Sequence, residues 1–333
     1  MDAPVPHVRA ISPLIVLMPV YNDWDVVPAL VQQLDEALSP AGLAAEIVAV
    51  DDGSTVLPEA ASFAKASYRA IASISVLRLG RNMGHQRAIA VGLAHIHTQR
   101  PDADVVVMDA DGEDAPSVVP RLVAAGARDP SRVVFAARAG RSEGPAFRAL
   151  YRLYQLTHRL LTGTWTSLGN FSFVPRAALP RLVMLSELWN HYPGAVLKAR
   201  MPISTIPADR SPRLGGHSQM NLVSLILHGL SAISVHGDVI GVRALIASLV
   251  AVALSVAGIV VVVAIRLATD LAIPGWASFL VAVLAAILLQ ALSLSLVFVF
   301  VILNSRNYFS AIPRRDYREY VIGEDLLYPG LRG

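Results

Sequence analysis

The chain has 333 residues, a net charge of +3, a 54% hydrophobic composition and a mean hydropathy of +0.52, with no cysteine. That length holds one large domain or two, and the missing cysteines exclude disulfides, thiolate metal sites and a cysteine nucleophile. The modest charge, scattered rather than striped among aromatics, excludes nucleic-acid binding, while the apolar excess after residue 240 excludes a wholly soluble protein.

No signal peptide is expected, because Met1 to Ser12 carries Asp, His and Arg and the apolar run Leu14 to Val20 is broken by Pro19. The N-terminal part is therefore expected in the cytoplasm. From residue 14 to 137, short β-branched runs alternate with amphipathic stretches of helical length. Strands are predicted at Leu14 to Met18, Ala45 to Val50, Ile74 to Leu79, Asp104 to Met108 and Arg132 to Ala137, with helices near 24–38, 58–70, 84–98 and 116–127. Strands separated by helices imply crossovers, hence an α/β domain with a mainly parallel sheet.

Polar turns follow four of these strands: Pro19-Val20-Tyr21-Asn22-Asp23, Asp51-Asp52-Gly53-Ser54, Gly80-Arg81-Asn82-Met83-Gly84-His85 and Asp109-Ala110-Asp111-Gly112-Glu113-Asp114. At one edge of one sheet they line a crevice of nucleotide size. In the last, a turn brings Asp109 and Asp111 towards one hard cation, or else the acids merely punctuate a strand-to-helix turn. Asp51 and Asp52 either accept from a base N–H and ribose hydroxyls, with Tyr21 against the base, or cap a helix together with Ser54. Arg81, Asn82 and His85 line a phosphate or sugar, or simply start a helix. His95 and His97, two apart on a helix, diverge and form no zinc pair. Neither G-x-G-x-x-G nor G-x-x-x-x-G-K-[ST] is present, so phosphates must be met by metal and arginine.

From 138 to 220 the alternation fades. Arg138 and Arg141 follow the fifth strand, and Pro145 to Leu161 is a helix laced with Arg148, Arg152 and Arg159, either solvated or meeting lipid headgroups. Ser167 to Phe173 has strand character ahead of a helix opened by Pro175. Arg210 to Gln219, with Arg213, His217 and Ser218, reads as a flexible loop that closes over phosphates. Asn221 to His236 suits an interfacial helix. Ala244 to Ile265 is uncharged over 22 residues, roughly 33 Å of helix and enough to span a bilayer. Ala277 to Leu303 is uncharged and longer. Gln290, Ser293 and Ser295 are expected to bond across the helix pair or to face a lipid substrate. Arg243 before the first span and Arg306, Arg314, Arg315 and Arg318 after the second place both chain ends in the cytoplasm. The expected organisation is an α/β domain over 1–220, an amphipathic interfacial helix over 221–240, a transmembrane hairpin over 241–306 and a cytoplasmic tail over 307–333.

Together these motifs resemble the inverting family 2 glycosyltransferases of the GT-A fold. More narrowly, they resemble the polyprenyl-phosphate glycosyltransferases related to dolichyl-phosphate mannose synthase and to the bacterial enzymes that charge undecaprenyl phosphate. The residues that carry the match are Pro19 to Asp23, Asp51 to Ser54, Asn82-Met83-Gly84, the D-x-D of Asp109 and Asp111, Arg138, and Gly216-His217-Ser218-Gln219 ahead of the membrane segment. The resemblance spans nearly the whole chain. It implies a Rossmann-like GT-A domain that binds a UDP- or GDP-sugar through Pro19, Tyr21, Asp23, Asp51, Asp52, Asn82 and Asp109. It implies Mg²⁺ or Mn²⁺ at Asp109, Asp111 and Glu113, with Asp111 and Glu113 as direct ligands and Asp109 nearer the ribose or a metal-bound water. It also implies a catalytic set of Asp111, Arg138, Arg213 and His217, and an acceptor-phosphate set of Arg138, Arg141, His217, Ser218 and Gln219. Four positions depart from the family pattern. Asp23 stands for a common glutamate, Gln219 stands for a common lysine, and Asn170 and Ser172 stand where relatives often carry an acid and an arginine, so no acceptor-loop base is expected.

The implied reaction is attack of a polyprenyl phosphate oxygen on the anomeric carbon of a nucleotide-sugar. The phosphate is already anionic, so little general-base help is needed. The implied setting is the inner membrane, multi-pass, with the catalytic domain cytoplasmic. The expected partners are the nucleotide-sugar, the polyprenyl phosphate and membrane lipids, with a homo-oligomer left open. A different lipid or glycan acceptor and a non-catalytic nucleotide-sugar-binding scaffold are the alternatives. A processive synthase is disfavoured because Q-x-x-R-W is absent.

Overall fold

The computed structural model describes residues 13–59, 62–63, 67–138, 145–163, 168–209, 211–215, 230–231, 233–269, 275–307 and 311–328, with the side chains of 138, 145–151, 153–154 and 304–307 outside that set. The chain divides into a sheet unit (residues to 149, 166–235 and from 311 on) and a helical unit (150–165 and 236–310).

In the sheet unit, β1 (Leu14–Val20), β2 (Ala45–Asp51), β3 (Ile71–Leu79), β4 (Asp104–Val107), β5 (Val133–Arg138), β6 (Ser172–Val174), β7 (Ile203–Ala208) and β8 (Val321–Tyr328) form one sheet in the order β7-β5-β6-β4-β1-β2-β3-β8. β1 pairs in parallel with β2 and β4, β2 with β3, and β5 with β7. β6 runs antiparallel to β4 and β5, and β8 antiparallel to β3. The sheet is thus mixed and mostly parallel, as expected of the α/β GT-A class.

Every residue of β1 is buried, because both faces of the sheet are covered. Leu14, Val16, Met18 and Val20 pack in one layer with Val27, Leu30, Val31, Leu34 and Leu38 of helix α1 (Val27–Leu38). Ile15 and Leu17 pack in the other with Ala88, Ile89, Leu93 and Ile96 of helix α2 (His85–Gln99). Each such aliphatic side chain contributes about 1.5–3 kcal/mol on burial. Asp35, buried on α1, is not a ligand candidate: its Oδ1 accepts from the N–H groups of Arg69, Ala70 and Ile71 at 2.8, 2.6 and 3.1 Å and ties the start of β3 to the helix.

The strand order also locates the site. From β1 the chain steps outward to β2 and β3, then returns to the far side of β1 as β4. Connections leaving β1 and β4 therefore diverge, and a crevice opens at their carboxyl ends. Helix α3 (Val119–Arg128) follows the β4 turn, and α4 (Pro145–Thr162) and α5 (Tyr192–Lys198) come later.

Two expectations change. The segment expected as a tail over 307–333 is, across its described residues 311–328, part of the sheet unit. β8 borders β3, Gly80 N–H donates to Tyr320 O at 2.9 Å, Arg314 N–H to Val183 O at 3.0 Å, and the Trp189 indole to Ala311 O at 3.1 Å. Tyr317 is buried, and Arg78 pairs with Asp325 at 2.8 Å. A β3 edge left bare would expose a row of backbone groups, which this return strand satisfies. Of the helix expected over 58–70, the described residues are helical only at 62–63, and residues 67–70 lead as coil into β3, which starts three residues earlier than predicted.

In the helical unit, α6 (Gly237–Ala268) and α7 (Trp276–Asn307) contain the expected spans and are long and apolar enough to cross a membrane, forming a candidate transmembrane hairpin. Gly241, Ser248, Ser255 and Val262, each seven residues apart, are the buried positions of α6. That spacing keeps one seam of small residues towards the partner helix. Ser248 and Ser295 share a hydrogen bond of 2.7 Å across it, whereas Ser293 donates to Leu289 O of its own helix and Gln290 is exposed. Most of the expected interfacial helix, residues 221–229 and 232, lies outside the described residues.

Candidate active site

The turns after β1, β2 and β3 are knitted into one wall. Asn22 holds a left-handed conformation (φ 57°); its N–H donates to Ser54 Oγ at 2.9 Å, and its Oδ1 accepts from the Thr55 N–H and hydroxyl at 2.8 and 3.1 Å. Gly53 (φ 72°) passes so close to the third turn that a Cβ there would lie 2.6 Å from backbone atoms of Arg81 and Asn82. Only glycine fits such an approach.

The adjacent acids of this wall are both 2% exposed. Asp51 Oδ1 accepts from the Trp24 indole at 3.1 Å and from Ser54 N–H at 3.3 Å. Asp52 uses both oxygens internally, accepting from Met83 N–H at 2.6 Å and Gly84 N–H at 2.8 Å. It thereby clamps the third turn at the N-terminus of α2, whose partial positive charge suits a carboxylate. Burial pushes the Asp52 carboxyl above its usual range, against the pull of those two N–H donors.

Across β1, the turn after β4 is built differently. Asp109 N–H donates to Asp114 Oδ2 at 2.9 Å and Glu113 N–H to Asp111 Oδ1 at 3.0 Å, which folds the acids back on one another. A strap from 211 to 215 docks on this turn. Ser211 N–H donates to Glu113 O at 3.0 Å, Leu214 N–H to Asp111 O at 3.2 Å, and Arg213 Nη2 stands 3.5 Å from Asp111 Oδ2. Gly112 (φ 81°) is needed beneath it, since a Cβ would come 2.5 Å from Leu214 Cγ. Burial raises the Asp23 carboxyl, opposed by the Arg213 cation and reinforced by the Asp111 charge. Asp23, Asp111 and Arg213 thus share one electrostatic neighbourhood.

Of the expected site residues, the structure brings together Asp23, Asp109, Asp111, Glu113 and Arg213. Tyr21 is 40% exposed and Asn82 is exposed on the wall, available to a ligand. Pro19 is a buried member of β1, and Asp52, expected against the nucleoside, is held by the protein's own backbone. The side chain of Arg138 and the whole of Arg141, His217, Ser218 and Gln219 lie outside the described residues. Sequence reasoning missed Trp24, whose indole orients Asp51, and Asp209, which lines a cleft with Glu113, Asp114, Gly169 and Phe171. It also missed Gln86, which sits buried at the first turn of α2 and donates to Asn170 Oδ1 at 2.9 Å. A glutamine just inside a helix that opens from a polar turn was the available signal.

Among the described residues, no three carboxylates or imidazoles converge as a closed cation cage. A magnesium ion that arrives with a diphosphate takes one or two carboxylates from the protein and its other oxygens from phosphate and water. An open turn carrying Asp109, Asp111 and Glu113, with Arg213 already drawn to it, fits such an ion.

The sequence profile of glycosyl transferase family 2 matches residues 15–184. Curated relatives include the undecaprenyl-phosphate 4-deoxy-4-formamido-L-arabinose transferases of Salmonella paratyphi B and Salmonella enteritidis, each 31% identical over 162 residues, which is 49% of this chain and 47% of the relative. The chain thus spans about half the length of the curated relatives it matches. Solved structures similar to it include glucosyl-3-phosphoglycerate synthase from Mycobacterium tuberculosis with Mn²⁺ and UDP-glucose (18% identity, TM-score 0.46, 68% of this chain and 80% of that one). Mannosyl-3-phosphoglycerate synthase from Rubrobacter xylanophilus is comparable (19% identity, TM-score 0.46, 67% and 72%). At these TM-scores neither likeness carries any argument about function.

Proposed function

This chain belongs to glycosyl transferase family 2, and from that premise we propose that it transfers a sugar, with inversion, from a nucleoside-diphosphate donor to a polyprenyl phosphate at the cytoplasmic face of the inner membrane. The observation that carries the reading is the paired construction at the switch point: a closed wall of turns suited to a nucleoside, facing an open carboxylate turn with an arginine strap suited to a diphosphate and its cation. The hairpin supplies the acceptor side of the argument. It ties the catalytic unit to lipid, where a prenyl chain stays dissolved while its phosphate reaches the crevice. The curated relatives are named for undecaprenyl phosphate, which makes that lipid the first acceptor to try and 4-deoxy-4-formamido-L-arabinose the first sugar.

In the proposed step an acceptor phosphate oxygen bonds to the anomeric carbon as the bond from that carbon to the donor diphosphate oxygen breaks. The acceptor dianion loses one charge and the diphosphate gains one, so no proton has to move and little general-base help is needed. A divalent cation, Mg²⁺ or Mn²⁺, would be held by Asp111 and Glu113 with Asp109 in support, and would neutralise charge on the leaving diphosphate. Arg213 would add a second positive charge there, and Tyr21 and Asn82 would meet the nucleoside and sugar. Positioning the two reactants is the remaining contribution of the protein.

The test is to incubate the purified full chain with a panel of UDP- and GDP-sugars, undecaprenyl phosphate and Mn²⁺ or Mg²⁺, and to read the lipid product by mass. A sugar added to the prenyl phosphate is the expected result. Transfer to a diacylglycerol-type lipid or a glycan instead would reassign the acceptor, and donor binding without turnover to any acceptor would make the chain a scaffold.

A further inference from the structure

Asn170 and Gln86 form a chain of hydrogen bonds whose direction the backbone dictates. Tyr192 N–H donates to Gln86 Oε1 at 2.6 Å, and a backbone N–H can only donate. Gln86 must therefore present its amide NH₂ to the other side, where Nε2 donates to Asn170 Oδ1 at 2.9 Å. That leaves Asn170 Nδ2 as the group 3.3 Å from Asp109 Oδ1. Side-chain amide orientations are commonly ambiguous, but here two successive amides are fixed by one unambiguous donor.

A second chain holds the same residue by its main chain. Ser172 Oγ donates to the Asn170 carbonyl at 2.8 Å, and its single hydrogen is then committed. The 2.7 Å contact between Ser172 Oγ and Tyr192 Oη must therefore run from the tyrosine hydroxyl to the serine. Burial raises that hydroxyl well above its usual range, which keeps it protonated as a donor. Both chains start at Tyr192, the first residue of α5, and both end on Asn170. Gln86 is 7% exposed, and Ser172 and Tyr192 are fully buried, so the ring is shielded from competing water.

From this ring, and resting on the transferase reading above, we infer that Asn170 is a positioning residue for Asp109, held in its donating orientation by Gln86 and Tyr192. The amide fixes Asp109 Oδ1 and leaves Oδ2 to the incoming ligand, so the aspartate meets it in one rotamer. The ring also links that carboxylate to β6 and α5, elements outside the nucleotide wall. This gives Asn170 a role other than acid–base chemistry.

Gln86→Glu separates the parts. In its ionised form a glutamate still accepts from Tyr192 N–H but cannot donate to Asn170 Oδ1, and so turns the Asn170 oxygen towards Asp109. The expected result, in protein that still folds, is a fall in kcat and in Mn²⁺ affinity, titrated with UDP or GDP present, of about 10- to 100-fold, with an unchanged KM for undecaprenyl phosphate. In an Asn170→Ala background the same change should have no further effect, because its only route to Asp109 is gone. Should the buried glutamate prevent folding, Asn170→Asp provides the alternative: it keeps the acceptor for Gln86, removes the donor to Asp109, and should lose the same activity. Additive effects of the two substitutions, or wild-type kcat and Mn²⁺ affinity in a folded Asn170→Asp protein, would overturn the relay alone. A folded wild type that transfers nothing would overturn the functional reading and the relay with it.

Discussion

The two adjacent acids after β2 and the acids of the turn after β4 look alike in sequence, yet the fold treats them in opposite ways. Asp52 is sealed by two backbone N–H groups of a neighbouring turn, whereas Asp111 lies on a half-buried turn approached by a cationic side chain of a separate strap. A carboxylate whose oxygens are both taken by main chain holds structure together. One opposed by a guanidinium at 3.5 Å can exchange that partner for a ligand. The position of an acid at a sheet edge therefore does not settle its role; the origin of its donors does.

That contrast can be broken at several points. The largest effect on stability is expected from Asp52→Ala, which orphans Met83 N–H and Gly84 N–H at about 1–3 kcal/mol each. A chemical or thermal melt should register the loss, and an unchanged melt would show that the wall does not depend on this acid. Next is Gly112→Ala, which forces a left-handed alanine and a 2.5 Å approach to Leu214 Cγ, a strain of about 1–3 kcal/mol. Because the clash falls on the strap, donor KM should rise more than the melting temperature falls; the reverse would place the strap outside the site. The smallest effect is a pH slope. The folded Asp52 carboxyl titrates above its ordinary 3.8, so the folded state binds this proton more readily than the unfolded chain. Its contribution to stability is then fullest below 3.8 and is lost as pH rises through the folded value. The wild type should thus lose stability relative to Asp52→Asn as pH rises above the ordinary carboxyl value of 3.8; a wild type that gains on the variant with rising pH would contradict burial as the dominant cause.

Much of the catalytic half was legible because its physics is local. Parallel strands covered on both faces must be apolar throughout, so β1, β2, β4 and β5 stood out as runs such as Asp104-Val-Val-Val, and the Asp109 to Glu113 turn announced itself by composition. β8 was not legible. Val-Ile-Gly-Glu-Asp-Leu-Leu-Tyr is a half-exposed edge strand, and its partner β3 lies on the far side of both apolar helices in sequence, so no local period reveals the pairing. The role of Asp52 was hidden for a related reason, since its partners are main-chain groups whose identity the sequence does not encode. In sequence the strap reads as a loop closing over phosphates; its described residues dock on the aspartate turn through Ser211 and Leu214 N–H, a contact that only the path of the chain creates.

The division of labour between the two sets of acids is tested most directly by measuring transfer and thermal melting side by side for the wild type and Asp111→Asn, using the full chain, its active nucleotide-sugar and undecaprenyl phosphate. An Asp111→Asn protein that melts with the wild type but transfers about 10²- to 10³-fold more slowly is the predicted result. Near-normal transfer by the folded variant would contradict the account.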